Sequence, residues 1–150
     1  MRNAILAMTM VLTLVTGQLR AATHKTPPAD VGPGRIAWFD ITTTNLPRSK
    51  EFYGKLFDWK IDANNPMNYG IVDNEGQGIG GGISGGDGSS NQVTFYVEVD
   101  DPQAYLNKVE SQGGKTVMPV TEIPGMVIFA QFADPEGNVV GIVKAGYPGQ

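Results

Sequence analysis

The chain has 150 residues, 41% of them hydrophobic, which is one domain's worth of sequence with enough apolar material for a core. Its 11 basic and 15 acidic residues form no basic cluster, which argues against a nucleic-acid partner. With no cysteine and a single histidine, His24, the chain can have no disulfide, no thiolate metal site, no cysteine nucleophile and no site built on two imidazoles of one chain.

The N-terminus carries Arg2, an apolar run from Ala4 to Val15, and then small residues including Gly17, Ala21 and Ala22. This is the layout of a secretory signal peptide, and the run falls short of the ~20 residues that span a bilayer. The expectation is a signal over residues 1–22, cleaved after Gly17 or Ala21, and an exported protein, periplasmic or secreted, with no transmembrane segment left. An uncleaved membrane anchor is the alternative. Cleavage after Ala21 would remove Arg2 and Arg20 and leave a net charge of about −6. Residues 23–34, rich in Pro, Gly and polar side chains, read as a linker, and residues 146–150 as a tail.

The domain is expected over residues 35–145. From Arg35 the pattern alternates, with Ala37, Phe39 and Ile41 on one parity and Trp38, Asp40 and Thr42 on the other, a strand with two chemically different faces. Asn45 is placed to cap a helix with Pro47 in its first turn, and Phe52, Tyr53, Leu56 and Phe57 form a stripe able to cover the Phe39 face. Short strands follow at Trp59 to Asp62, Asn68 to Asp73 and Gly78 to Ile83, and Ser84 to Asn91 reads as a connection.

The order then begins again. Val93, Phe95, Val97 and Val99 alternate with Thr94, Tyr96 and Glu98; Asp100 or Asp101 caps a helix with Tyr105, Leu106 and Val109 inward; Gly113 and Gly114 stop it. Three strands, Lys115 to Val120, Met126 to Ala133 and Asn138 to Lys144, complete the second unit, with Asp134 to Gly137 as the last turn. One βαβββ unit is thus used twice, over residues 35–84 and 92–145, about 56 residues apart when Trp38 is matched with Thr94.

This paired unit, with RSKEFYGKLFDW in its first helix and DPEGN in its closing turn, resembles the glyoxalase, bleomycin-resistance and extradiol-dioxygenase superfamily, also called vicinal oxygen chelate proteins. The resemblance spans Gly34 to Ala145. It implies an α+β fold in which two βαβββ modules of one chain form a curled mixed sheet with an enclosed cup. The scaffold hosts isomerases, dioxygenases, lyases, transferases and binding proteins, so it does not name an activity. Family metalloenzymes take His, Gln or Glu ligands from places that correspond here to Trp38, a glycine near Gly81, Thr94 and Gly141. None of these is a useful ligand for a divalent ion, so neither metal nor other cofactor is expected.

Asp40 and Glu98 share the parity of Trp38 and Thr94, which makes them weak candidates for acid or base, for holding a cation or for holding a basic ligand; the alternative is solvated carboxylates at strand ends. Trp38 is either a core residue or an aromatic wall of the cup. Tyr96, Tyr69 and Gln131 are further hydrogen-bonding candidates. Two short matches are discounted. Gly76, Gly78 and Gly81 satisfy G-x-G-x-x-G without a following helix, and Gly82 to Gly86 satisfies G-x-S-x-G without a strand-to-helix elbow or a His partner.

The first functional expectation is a metal-independent binder of a small, partly aromatic or apolar molecule, in a cup lined by Trp38, Asp40, Thr94, Tyr96 and Gly141. The second is a glyoxalase-like lyase or isomerase, or another enzyme of this scaffold, using carboxylates or a non-standard metal site. The third is a protein-interaction module, favoured if the cup is filled by its own side chains. A homodimer is possible by analogy with the family.

Overall fold

The computed structural model describes residues 34–76, 78–86 and 91–146. The expected signal peptide, His24, nearly all of the linker and all but the first residue of the tail lie outside them. The elements run β1 (Ile36–Thr43), α1 (Leu46–Phe57), β2 (Lys60–Asp62), β3 (Gly70–Asp73), β4 (Gly80–Gly85), β5 (Gln92–Val99), α2 (Pro102–Ser111), β6 (Lys115–Ile123), β7 (Val127–Ala133) and β8 (Val139–Lys144). The expected βαβββ order is present twice.

All eight strands join one open mixed sheet in the order β2-β3-β4-β1-β5-β8-β7-β6. Each module contributes four neighbours, and the modules meet where β1 pairs antiparallel with β5, Phe39 opposite Phe95 and Asp40 opposite Thr94. Within the modules β1 runs parallel to β4 and β5 parallel to β8. A parallel pair needs a crossover, which each helix supplies together with the intervening strands.

Capping chemistry fixes where the helices start. The Asn45 side chain accepts from Arg48 N at 3.0 Å, and Asp101 accepts from Gln103 N and Ala104 N at 3.0 and 3.1 Å, satisfying amides that have no partner inside the helix. The two caps stand 56 residues apart, the spacing of the internal repeat. At the far end of α2, Gly113 takes a φ of 89°, the left-handed conformation that stops a helix.

Both helices cover the same face. Under α1, Leu46, Val72 and Ile83 form a buried cluster joined by Phe39, Ile41, Tyr53, Trp59 and Ile61; under α2, Val99, Leu106, Ala130 and Ile142 form a second, joined by Val97, Tyr105 and Phe132. Strand alternation therefore leaves Trp38, Asp40, Thr42, Gly80, Gly82, Ser84, Thr94, Tyr96 and Gly141 on the opposite face.

Two expectations shift. The α1 stripe is narrower than its spacing predicts, since Tyr53 packs inward on Trp59 while Phe52, Leu56 and Phe57 are each more than half exposed. Trp59 lies against Phe39, Tyr53 and Phe57, so the inward side of the stripe is carried by Tyr53 and Trp59 together. Ser84, read as the start of a connection, belongs to β4 and pairs with Thr42.

Candidate functional site

On the helix-free face the arrangement begins with glycines. A Cβ built at Gly80 would lie 2.5 Å from the Trp38 ring, one at Gly82 2.3 Å from the Tyr69 ring, and one at Gly141 2.1 Å from the Tyr96 ring. All three distances are far inside van der Waals contact, so the absence of a side chain lets each ring lie down across the neighbouring strand. The floor of the cup is consequently tiled with aromatic rings rather than filled by upright side chains. Gly81 points the other way and seats Phe39 among the α1 cluster. The pair flanking it, Gly80 and Gly82, faces the cup.

A chain of polar contacts crosses this floor. Trp38 Nε1 donates to Tyr69 Oη at 2.9 Å, and that hydroxyl donates to Asp40 Oδ1 at 2.9 Å. The other oxygen, Oδ2, accepts from Thr42 Oγ1 at 3.1 Å and from Ser84 Oγ at 3.0 Å. Three neutral donors thus surround the carboxylate, and it forms no ion pair among the described residues. A carboxylate offers about four acceptor positions, which leaves one free on Oδ1.

On the other side of the seam, Gln131 Nε2 donates to Tyr96 Oη at 2.7 Å, and Tyr96 meets Phe129 edge-on with centroids 6.2 Å apart. Burial, together with the negative charge of Asp40, pushes the Tyr69 hydroxyl far above the usual tyrosine range; burial first and Asp40 last also push Tyr96 up. Both phenols stay protonated at any physiological pH and remain able to donate.

The other candidates are placed as follows. Thr94 is buried beside Asp40, accepts from Gln92 Nε2 at 2.8 Å, and directs its own hydroxyl toward Val139 O. Gly141 is the seat of Tyr96, so a ligand would meet the ring above it. Glu98 is held by Arg35, whose Nε donates at 2.9 Å, at the other end of β5 from Thr94. Trp38, Asp40 and Tyr96 are brought together, while Glu98 belongs to a separate ion pair. Trp38, Asp40, Tyr69 and Tyr96 are all half-buried, so the floor is neither sealed nor fully open.

Tyr69, a hydrogen-bonding candidate in the sequence, is brought to Asp40, and Ser84, read there as connection, joins it. Tyr69 precedes β3, two strands away from β1 in the sheet, and follows Asn68 with its φ of 50°. Gly82 leaves the room that the Tyr69 ring occupies. Among the described residues no three of His, Cys, Asp and Glu come together, and no helix is long and apolar enough to cross a membrane.

The fold and this face define a class, and comparison agrees with it. The model of the Glyoxalase/Bleomycin resistance protein/Dioxygenase superfamily matches residues 35–142, and the chain belongs to that superfamily. A glyoxylase-like domain-containing protein of Didymella fabae is 32% identical over 120 residues, covering 73% of this chain and 92% of that protein. CFP32 of Mycobacterium tuberculosis (strain CDC 1551 / Oshkosh) is 29% identical over 121 residues, covering 75% of this chain and 46% of the relative, so the chain spans about half that length. Among solved structures, methylmalonyl-CoA epimerase from Mycobacterium tuberculosis superposes with a TM-score of 0.54 at 15% identity, covering 74% of this chain and 87% of that one. The Mn(II)-bound glyoxalase from Novosphingobium aromaticivorans superposes with a TM-score of 0.56 at 16% identity, covering 75% and 39%.

Proposed function

We propose that this is an exported, metal-independent member of the superfamily that binds a small, partly aromatic or apolar molecule on the floor formed by Trp38, Tyr69 and Tyr96. The observation that carries the reading is the seating of three rings on Gly80, Gly82 and Gly141, which gives a broad π surface with hydroxyl and carboxylate groups between the rings. A planar molecule gains stacking area there without displacing upright side chains.

The donor set does not fit a divalent ion. Asp40 is the floor's carboxylate, three hydroxyls already occupy it, and its neighbours at the family's ligand places are an indole, glycines and a threonine. Zinc and similar ions call for imidazole, thiolate or several carboxylates.

Titration of planar aromatic compounds against the purified protein, followed by tryptophan fluorescence, tests the reading: saturable binding that Trp38→Leu abolishes supports it. A stoichiometric, tightly held divalent ion in the purified protein would overturn it.

A second reading, a protein-interaction module, draws on the opposite face. Val93 and Phe95 of β5 are 72% and 41% exposed, and an open cavity of about 640 Å³ beside them reaches the Asp134 to Gly137 turn. Exposed apolar surface of this kind marks contact sites. Sedimentation giving a concentration-independent monomer, both alone and with extracts of the periplasm, would count against it.

A further inference from the structure

We infer that the molecule taken by this floor is cationic, an amine or quaternary ammonium carried on an apolar or aromatic body, with its charged head at Asp40. The inference rests on the binding reading above and names the class of ligand. Asp40 sits on β1 beside the seam between the modules, with a polar donor on three sides and no Lys or Arg partner among the described residues. The ion pairs Arg35–Glu98, Lys55–Glu51 and Lys60–Glu75 all lie elsewhere.

The hydroxyls around Asp40 bring no compensating positive charge, and its carboxylate acts across the floor on both Tyr69 and Tyr96. Low local dielectric makes the field stronger there than on an open surface. Around it stand three rings, Trp38, Tyr69 and Tyr96, each packed against a glycine where no Cβ intervenes. Aromatic faces attract cations, and repel anions, through their quadrupole. Carboxylate and rings therefore select the same sign of charge. The remaining acceptor position on Oδ1 suits one ammonium N–H, while alkyl groups on the nitrogen would rest on Trp38 and Tyr96.

Three probes sharing one ring system separate the possibilities: 1-naphthylmethylamine, charged at neutral pH, 1-naphthalenemethanol, and 1-naphthoate. Calorimetric titration of each into the whole protein is expected to give the amine an affinity at least about tenfold above the alcohol, with the carboxylate weakest. Asp40→Asn should erase the difference between amine and alcohol and leave alcohol binding in place. If Asp40→Asn does not fold, the same titrations of the unaltered protein at rising salt serve instead: the amine's affinity should fall toward the alcohol's while the alcohol's holds, and a salt-independent amine affinity would overturn the inference. Equal affinities for amine and alcohol would overturn the cation inference while leaving the aromatic binder standing. Binding by none of the three would overturn both.

Discussion

At the residue scale, the glycines of the helix-free face set the shape of the site. A methyl group at position 141 would press on the base of the Tyr96 ring as well as its edge, since Cδ1, Cε1 and Cγ all lie within 2.6 Å of the built Cβ. The ring cannot escape by moving its tip alone. Gly141→Ala is therefore expected to cost about 1–3 kcal/mol, the usual penalty for overpacking, and to break the Gln131 contact. Chemical denaturation gives the cost; an unchanged midpoint would mean that the ring has somewhere else to go.

The two phenols make a second prediction at this scale. Their folded-state values are raised above the ordinary tyrosine value near 10, so below that pH they leave stability untouched. As pH climbs past about 10, unfolded tyrosines lose their protons while these two keep theirs, and stability falls. Denaturation midpoints measured from pH 8 to 11 should drop above 10, and the drop should shrink in the Tyr69→Phe, Tyr96→Phe double variant. A flat profile would contradict the burial of these hydroxyls.

At the scale of elements, the helix caps are the local features that most directly turn sequence into topology. Asn45→Ala and Asp101→Ala should each cost about 1 kcal/mol. The caps belong to different modules, so the two losses should add. If the eight strands unfold as one cooperative unit, the double variant will show a single transition displaced by the sum. Two separate transitions would show that the modules are energetically independent.

These caps also explain why so much of the fold was legible. Asn45 and Asp101 sit directly before helical periodicity, β1 and β5 alternate cleanly, and the Asp134 side chain ties the last turn by accepting from Glu136 N and Asn138 N at 2.9 and 2.8 Å. Each is a local signal. The site was legible only in part. Strand parity put Trp38, Asp40 and Tyr96 on one face, but Tyr69 reaches that face from a loop through pairing across β3, β4 and β1, which no local pattern encodes. Ser84 looked like linker because glycines surround it. The exposure of Phe52, Leu56 and Phe57 was hidden because periodicity says which residues share a stripe but not how much of it the sheet covers.

At the scale of the whole molecule, the signal layout over residues 1–22 carries the proposal of export, which can be checked by direct observation. N-terminal sequencing of protein recovered outside the cytoplasm should begin at Gln18 or Ala22. A chain that stays in the cytoplasm with its leading residues intact would rule export out.

The two modules share a plan, and the 56-residue offset that aligns their caps also sets Asp40 opposite Tyr96 in the plan and Trp38 opposite Thr94. Register carries the correspondence to Gly82 and Gly141, each the seat of a tyrosine ring. What the halves have in common is thus a bed for a ring, and what separates them is charge. The near-twofold frame is thus a polar one, and the cationic guest proposed above would settle in it in a single orientation, charged end toward the first half and neutral end toward the second.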